Sequence, residues 1–315
     1  MSNLHDALTE YLAARRALGT QLKWPESSLR RFVDFVEAEG SGFVTTDIAL
    51  RWAAQPVGVQ RATHAGRLRI VRGFTAWLQA KDQRTQVPPQ RLLPTARRRP
   101  TPYIYSDREI SDLIAAADRL RSASGLRRTT FKTLLGLLAA TGLRPGEALA
   151  LDVADVDLVG GILSVRESKF GKSRFVPMDE SARAATAAYA EFRDAVRPRR
   201  DTAAFLVTGR GSRLGQHATR RTFAMLCRAV GLRPCLGPRR IGRGPRLQDM
   251  RHTFATRRLV EWYRAGLDVD RLMPGLATYL GHGRVADTYW YIQAVPELLQ
   301  LATERLERTA RGDVR

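Results

Sequence analysis

Residues 129–177 read TTFKTLLGLLAATGLRPGEALALDVADVDLVGGILSVRESKFGKSRFVP, and the period of the chain changes inside them. Thr129 to Thr141 is apolar on nearly every side, as a buried helix must be, and Gly142 ends it. Pro145 then opens another helix, a position where a missing N–H does no harm. Beyond Glu147 the spacing shortens to that of strands. Val153–Leu158, Gly161–Arg166 and Ser173–Pro177 are short and β-rich, with turns at Gly160-Gly161 and Phe170-Gly171. The expectation is a mainly α protein carrying one small antiparallel β-sheet.

Helical spacing resumes on both sides of this stretch. Upstream, Ser106 with Glu109 forms a capping box ahead of Ile110, Leu113 and Ile114. Downstream, helices are expected at Glu180–Ala195, His217–Val230, Asp249–Ala265, around Ala277 and at Glu297–Arg308. Residues 1–84 read as wholly helical: Asp6–Leu18, a second helix from Ser27 to Gly40, a short third one capped by Thr46 and Asp47, and a fourth from Val59 to Lys81. The fourth buries Leu68, Val71, Phe74 and Leu78 and shows Arg61, Arg67, Arg69 and Arg72, either a solvated face or one laid against phosphates. Five prolines alternate with Arg91 and the run Arg97, Arg98, Arg99 over residues 85–102, which marks a basic linker. The domains are therefore expected at 1–84 and 103–315.

With 52 Lys and Arg against 31 Asp and Glu, the net charge of +21 points to a polyanion as partner. The arginines cluster, as at Arg197, Arg199 and Arg200 and at Arg239, Arg240, Arg243 and Arg246. No basic amphipathic helix with bulky apolar neighbours stands out, so a membrane surface is not the expected partner. The two cysteines, Cys227 and Cys235, make neither a disulfide framework nor a zinc motif, and the N-terminus is too polar and acidic for a signal peptide. A reducing cytoplasm is the expected compartment.

Certain polar residues carry chemistry. Arg144 stands at a helix junction, a seat for phosphate, with Glu147 placed to orient it or cap the helix; taken alone, the stretch is equally an ordinary interhelical turn. Lys169 lies at the hairpin tip, where an ammonium can reach a DNA groove; Lys172, its rival, and Arg174 on the returning strand are expected to contact DNA. Arg251 sits on a helix beside His252, which points about 100° away and braces the site. His282 follows a glycine, and Tyr291 stands nine residues on. Tyr289 and Tyr291, about 200° apart on a helix, cannot face one phosphate together.

These residues, in this order and spacing, resemble the tyrosine recombinases, the phage integrase and Xer-type family. The motifs are T-G-x-R-x-x-E at 141–147, the hairpin lysine, the H-x-x-R arginine at 251, L-G-H at 280–282 and the tyrosine at 291. The resemblance covers residues 106 to about 300. It implies a tyrosine-recombinase catalytic domain behind a helical, SAM-like core-binding domain. It also implies that Tyr291 attacks a phosphate to give a 3′-phosphotyrosyl bond, that Arg144 and Arg251 stabilise the transition state, that Lys169 protonates the leaving oxygen, and that His282 binds phosphate or moves a proton. No metal or other cofactor is implied. The partner would be double-stranded DNA, held by a homo-tetramer on paired sites, alone or with sibling recombinases, in a bacterial cytoplasm. One position departs from the pattern: Gln248 stands where the family has the first histidine of H-x-x-R, and an amide donates hydrogen bonds but does not exchange protons. A type IB topoisomerase, or an accessory DNA-binding protein, are the competing readings. The recombinase reading requires Arg144 and Arg251 on one side of the molecule, beside the Tyr291 hydroxyl.

Overall fold

The structure is a computed structural model and describes residues 3–20, 23–94, 101–166, 173–199, 201–234 and 244–310. It divides into two compact units, residues 1–100 and 101–315.

The first unit holds four helices, α1 (Leu4–Ala17), α2 (Lys23–Ala38), α3 (Thr46–Ala54) and α4 (Arg61–Gln79). Their apolar stripes meet in a core containing Leu8, Leu12, Phe32, Val33, Trp52, Leu68 and Phe74. The cap of α3 is Thr45 rather than Thr46: its hydroxyl accepts from the Ile48 N–H at 3.2 Å. Residues 85–94, read from the sequence as the start of the linker, pack on this unit. Thr85 is fully buried, the Gln86 N–H bonds the Val44 carbonyl, and Leu93 lies against the core.

In the second unit, α5 (Asp107–Asp118) begins with the Ser106–Glu109 capping box. The helix α6 (Leu126–Thr141) buries Leu126, Phe131, Leu134, Leu135, Leu137 and Leu138 and ends at Gly142, whose φ of 61° suits a residue with no Cβ. After α7 (Pro145–Ala150) comes the sheet, β1 (Val156–Asp157), β2 (Ile162–Val165) and β3 (Arg174–Pro177), antiparallel in the order β1-β2-β3. Val153–Asp155, expected as strand, is a 3₁₀ turn instead, because the buried Asp155 carboxylate accepts the Asp152 N–H at 2.9 Å and curls the chain. The remaining helices are α8 (Glu180–Val196), α9 (Gln216–Ala229), α10 (Leu247–Arg264), α11 (Val269–Leu280), α12 (Ala286–Ala294) and α13 (Pro296–Ala310). The chain is thus mainly α with one small antiparallel sheet, as its periodicity predicts. Helix α12 has Val285 at its N-cap and no side-chain cap bond there, so the acidic Asp287 in its first turn is a weak mark of its start. Among the described residues, no helix is long and apolar enough to cross a membrane.

Candidate active site

The C-terminal end of α11 organises the site. Its last carbonyls have no partner within the helix, and the helix dipole makes them negative. Three consecutive carbonyls each accept from a different arginine. Arg174 Nε donates to Tyr279 O at 2.8 Å, Arg251 Nη2 donates to Leu280 O, and Arg144 Nη2 donates to Gly281 O at 3.1 Å. Gly281, at φ +67°, turns the chain out of the helix, and the His282 N–H closes the turn on Ala277 O at 2.9 Å. An added Cβ at Gly281 would sit 2.8 Å from Arg174 Nη1, so glycine is required here for space as well as for backbone shape.

Glu147 links two of these arginines. Its carboxylate accepts from Arg144 through the backbone N–H (2.9 Å) and the guanidinium (2.7 Å). It also accepts both ends of the Arg174 fork, at 3.1 and 2.8 Å. Burial alone would raise its pKa, but hydrogen bonds from Arg174 and Arg144 and the Arg174 charge prevail and hold it at about 2. Arg251 is 1% exposed and also donates to Gly142 O at 3.0 Å, which ties α10 to the end of α6. Burial, then the neighbouring Arg144 charge, lower its pKa to about 10.

His282 Nδ1 lies 2.7 Å from the hydroxyl of Thr288, a fully buried residue that fixes the ring plane. Burial, reinforced by Arg251 and Arg144, lowers the imidazole to about 4, so it is neutral at pH 7. Tyr291 lies on α12 with its ring stacked on His282, 6.0 Å between centroids and 21° between planes. Only 3% exposed, it is itself part of the apolar cluster formed by α10 to α13, yet its phenol is near enough to act on the charge of Arg251. His252 places its ring 5.5 Å from both Trp290 and Tyr291.

The structure therefore brings Arg144, Glu147, Arg251, His282 and Tyr291 together, with His252 behind the tyrosine. Gln248 is half-buried at the start of α10 and lines a cavity of about 490 Å³ with Pro145, Gly146, Gln216 and Arg220. Lys169, Lys172, Arg97, Arg98, Arg99, Arg239, Arg240 and Arg243 lie outside the described residues. Three arginines read as facing DNA are placed otherwise. Arg174 is turned inward onto Glu147 and Tyr279 O. Arg67 stacks on the Trp52 ring (3.6 Å to the centroid) and donates to Trp52 O at 2.7 Å. Arg72 donates to the carbonyls of Pro88 and Pro89, at 2.7 and 2.6 Å. In each case backbone carbonyls, joined for Arg174 by the Glu147 carboxylate, hold the guanidinium. Arg61 and Arg69 remain exposed on α4. Sequence reading missed Arg174 and Thr288 as parts of the site, since neither belongs to a motif that signals them. Among the described residues no group of three or more His, Cys, Asp or Glu could hold a metal ion.

The phage integrase family model matches residues 105–297. The putative integrase/recombinase y4rB of Sinorhizobium fredii is 43% identical over 312 residues, 98% of each chain. The tyrosine recombinase XerD of Caulobacter vibrioides is 32% identical, over 77% of this chain and 74% of its own. Among solved structures, the Tn1549 transposon integrase in complex with transposon right end DNA superposes with a TM-score of 0.63 at 17% identity, covering 96% of this chain and 99% of that one. A lambda integrase tetramer bound to a Holliday junction gives a TM-score of 0.59 at 16% identity, over 91% and 77%. These last two are likenesses of fold. The sequence matches extend over the residues that build the site, and the chain belongs to the phage integrase family of tyrosine recombinases, enzymes that break and rejoin DNA strands.

Proposed function

We propose that this chain is a site-specific DNA recombinase that cuts one strand with Tyr291 and carries the cut end as a 3′-phosphotyrosyl ester. The Tyr291 oxygen forms a bond to phosphorus while the bond to the 5′ oxygen breaks. The phenolic proton passes to neutral His282, whose Nδ1 is paired with the Thr288 hydroxyl, which leaves Nε2 as the base. Lys169 gives a proton to the departing 5′ oxygen. Arg144 and Arg251 carry the charge that builds on the non-bridging oxygens, each worth about 3–4 kcal/mol to the transition state by analogy with lost oxyanion donors. Rejoining is the reverse, with a 5′ hydroxyl attacking the ester. The ester conserves the phosphodiester energy, and two guanidiniums supply the charge that a metal would otherwise bring.

The observation that carries this reading is the anchoring of Arg144 and Arg251 on consecutive carbonyls, one and two residues before His282, with Tyr291 stacked on that histidine. The partner is double-stranded DNA, met by Arg61 and Arg69 of the first unit and by the basic segments at 97–99 and 239–243. Four protomers act on paired sites, as the tetramer described for lambda integrase would allow. Helix α13 seats Leu298 in its own unit but exposes Leu299 and Leu306, which suits a contact with the neighbouring protomer. A duplex site selected by the wild-type protein from random sequences, then nicked next to the cut position, is the test. Wild type should trap a covalent protein–DNA adduct and Tyr291→Phe should not; exchange of strands between two duplexes, rather than relaxation alone, separates recombinase from topoisomerase. An adduct of equal yield with Tyr291→Phe would refute the assignment of the nucleophile.

A further inference from the structure

We infer that Arg174 is a positioning residue of the strand-cutting site rather than a DNA contact. This rests on the recombinase reading above. An arginine that contacts the duplex backbone away from the reacting centre, unlike the buried Arg251 within it, should leave its guanidinium open to solvent, where it can exchange water and counterions for phosphate. Arg174 does the reverse. Its side chain is 10% exposed and faces the Glu147 carboxylate, itself 8% exposed. All three of its nitrogens are committed: the two ends of the fork to the two Glu147 oxygens, and Nε to Tyr279 O.

That geometry joins three elements at one point. Arg174 comes from β3, Glu147 from the first turn of α7, and Tyr279 O from the end of α11. The same Glu147 oxygens hold the backbone and guanidinium of Arg144, and the carbonyls that follow Tyr279 hold Arg251 and Arg144. Arg174 thus neutralises and orients the carboxylate that orients Arg144, and it closes the α11 turn from which His282 departs. The planar fork is what the place demands, because an ammonium at the end of a lysine cannot bond both carboxylate oxygens and a carbonyl in one plane.

The test uses the full chain and the selected, nicked duplex, with Arg174→Gln and Arg174→Lys. Single-turnover adduct formation at saturating DNA should fall at least tenfold in Arg174→Gln, with Arg174→Lys between it and wild type. The duplex Kd should stay within about twofold, and its salt slope should not change. The acid limb of the rate should move to higher pH in Arg174→Gln, since Glu147 then loses its principal partner while remaining buried. The groups that bear on this carboxylate are Arg144, Arg174 and Arg251, with Asp152, Asp155 and Arg166 around the adjoining cavity. A readout independent of cleavage is the Glu147 carboxyl itself: followed by carbon-13 NMR in DNA-free protein, it should titrate higher in Arg174→Gln than in wild type. If Arg174→Gln does not fold, Arg174→Lys decides on the same measurements.

A weaker Kd with a salt slope reduced by about 0.9, and an unchanged saturating rate, would make Arg174 a phosphate contact and overturn the inference. A slower rate with an unmoved pH profile and Glu147 titration, and no rescue by lysine, would also sink it, leaving only a general structural role. Failure of wild type to form any Tyr291-dependent adduct would strike the recombinase reading instead, while the Glu147 titration still reports on Arg174.

Discussion

Replacing Gly281 by alanine should damage the site by two separable routes. The backbone at φ +67° disfavours a residue with a Cβ by about 1–2 kcal/mol. The new methyl would also stand 2.8 to 3.1 Å from Nη1, Cζ and Nε of Arg174. That guanidinium is fastened to Glu147 and Tyr279 O, so it yields only by giving up charged hydrogen bonds, each worth about 1.5–3 kcal/mol. Together the expected loss is about 3–5 kcal/mol. A double-mutant cycle separates the parts, because once Arg174 is truncated to alanine the steric route disappears. In that background Gly281→Ala should cost only the backbone part, which leaves a coupling of about 2 kcal/mol between two residues more than a hundred positions apart. Urea unfolding of the full chain measures this as a shift in the midpoint of the transition that the substitutions affect. If Gly281→Ala costs the same with and without Arg174, the packing of Arg174 against this turn is not what requires glycine, and the reasoning fails.

Three further outcomes are expected. His282 in DNA-free protein should take up its proton near pH 4 by imidazole NMR, whereas an unfolded chain does so near 6.5. Acidification through that window therefore lowers stability, because the unfolded state binds the proton first, and a bound duplex, by bringing negative charge, should raise the value. On α4, Arg69→Ala should reduce the salt slope of DNA binding by about 0.9 with little change in stability. Arg72→Ala should leave the slope unchanged and destabilise the first unit by about 1–3 kcal/mol, since it strips a charged donor from the Pro88 and Pro89 carbonyls. Reversed results for the two arginines would show that exposure in this unit does not decide DNA contact.

What the sequence made legible were features written in side chains at fixed spacing. The buried stripe of α6, the Ser106–Glu109 cap and the helix-ending glycine at 142 follow from local chemistry that any reader of the chain can apply. The relay Arg144, Glu147, Arg251, His282 and Tyr291 was picked out through its resemblance to the tyrosine recombinases, and the fold brings these residues together. The part that stayed hidden depends on backbone carbonyls, which are the same in every residue and so leave no mark on a sequence. Arg67, Arg72 and Arg174 looked like free cations on a basic protein because Trp52 O, the Pro88 and Pro89 carbonyls and Tyr279 O cannot be located until the chain is folded. The same blindness explains Val153–Asp155, whose β-rich composition was outweighed by one carboxylate bonding a backbone N–H three residues back. A high net charge therefore tells what the molecule as a whole attracts, but not which arginines do the attracting. In this site the arginines with the most partners inside the protein are those that shape the place where phosphate is expected, whereas Arg61 and Arg69 on α4 stay exposed.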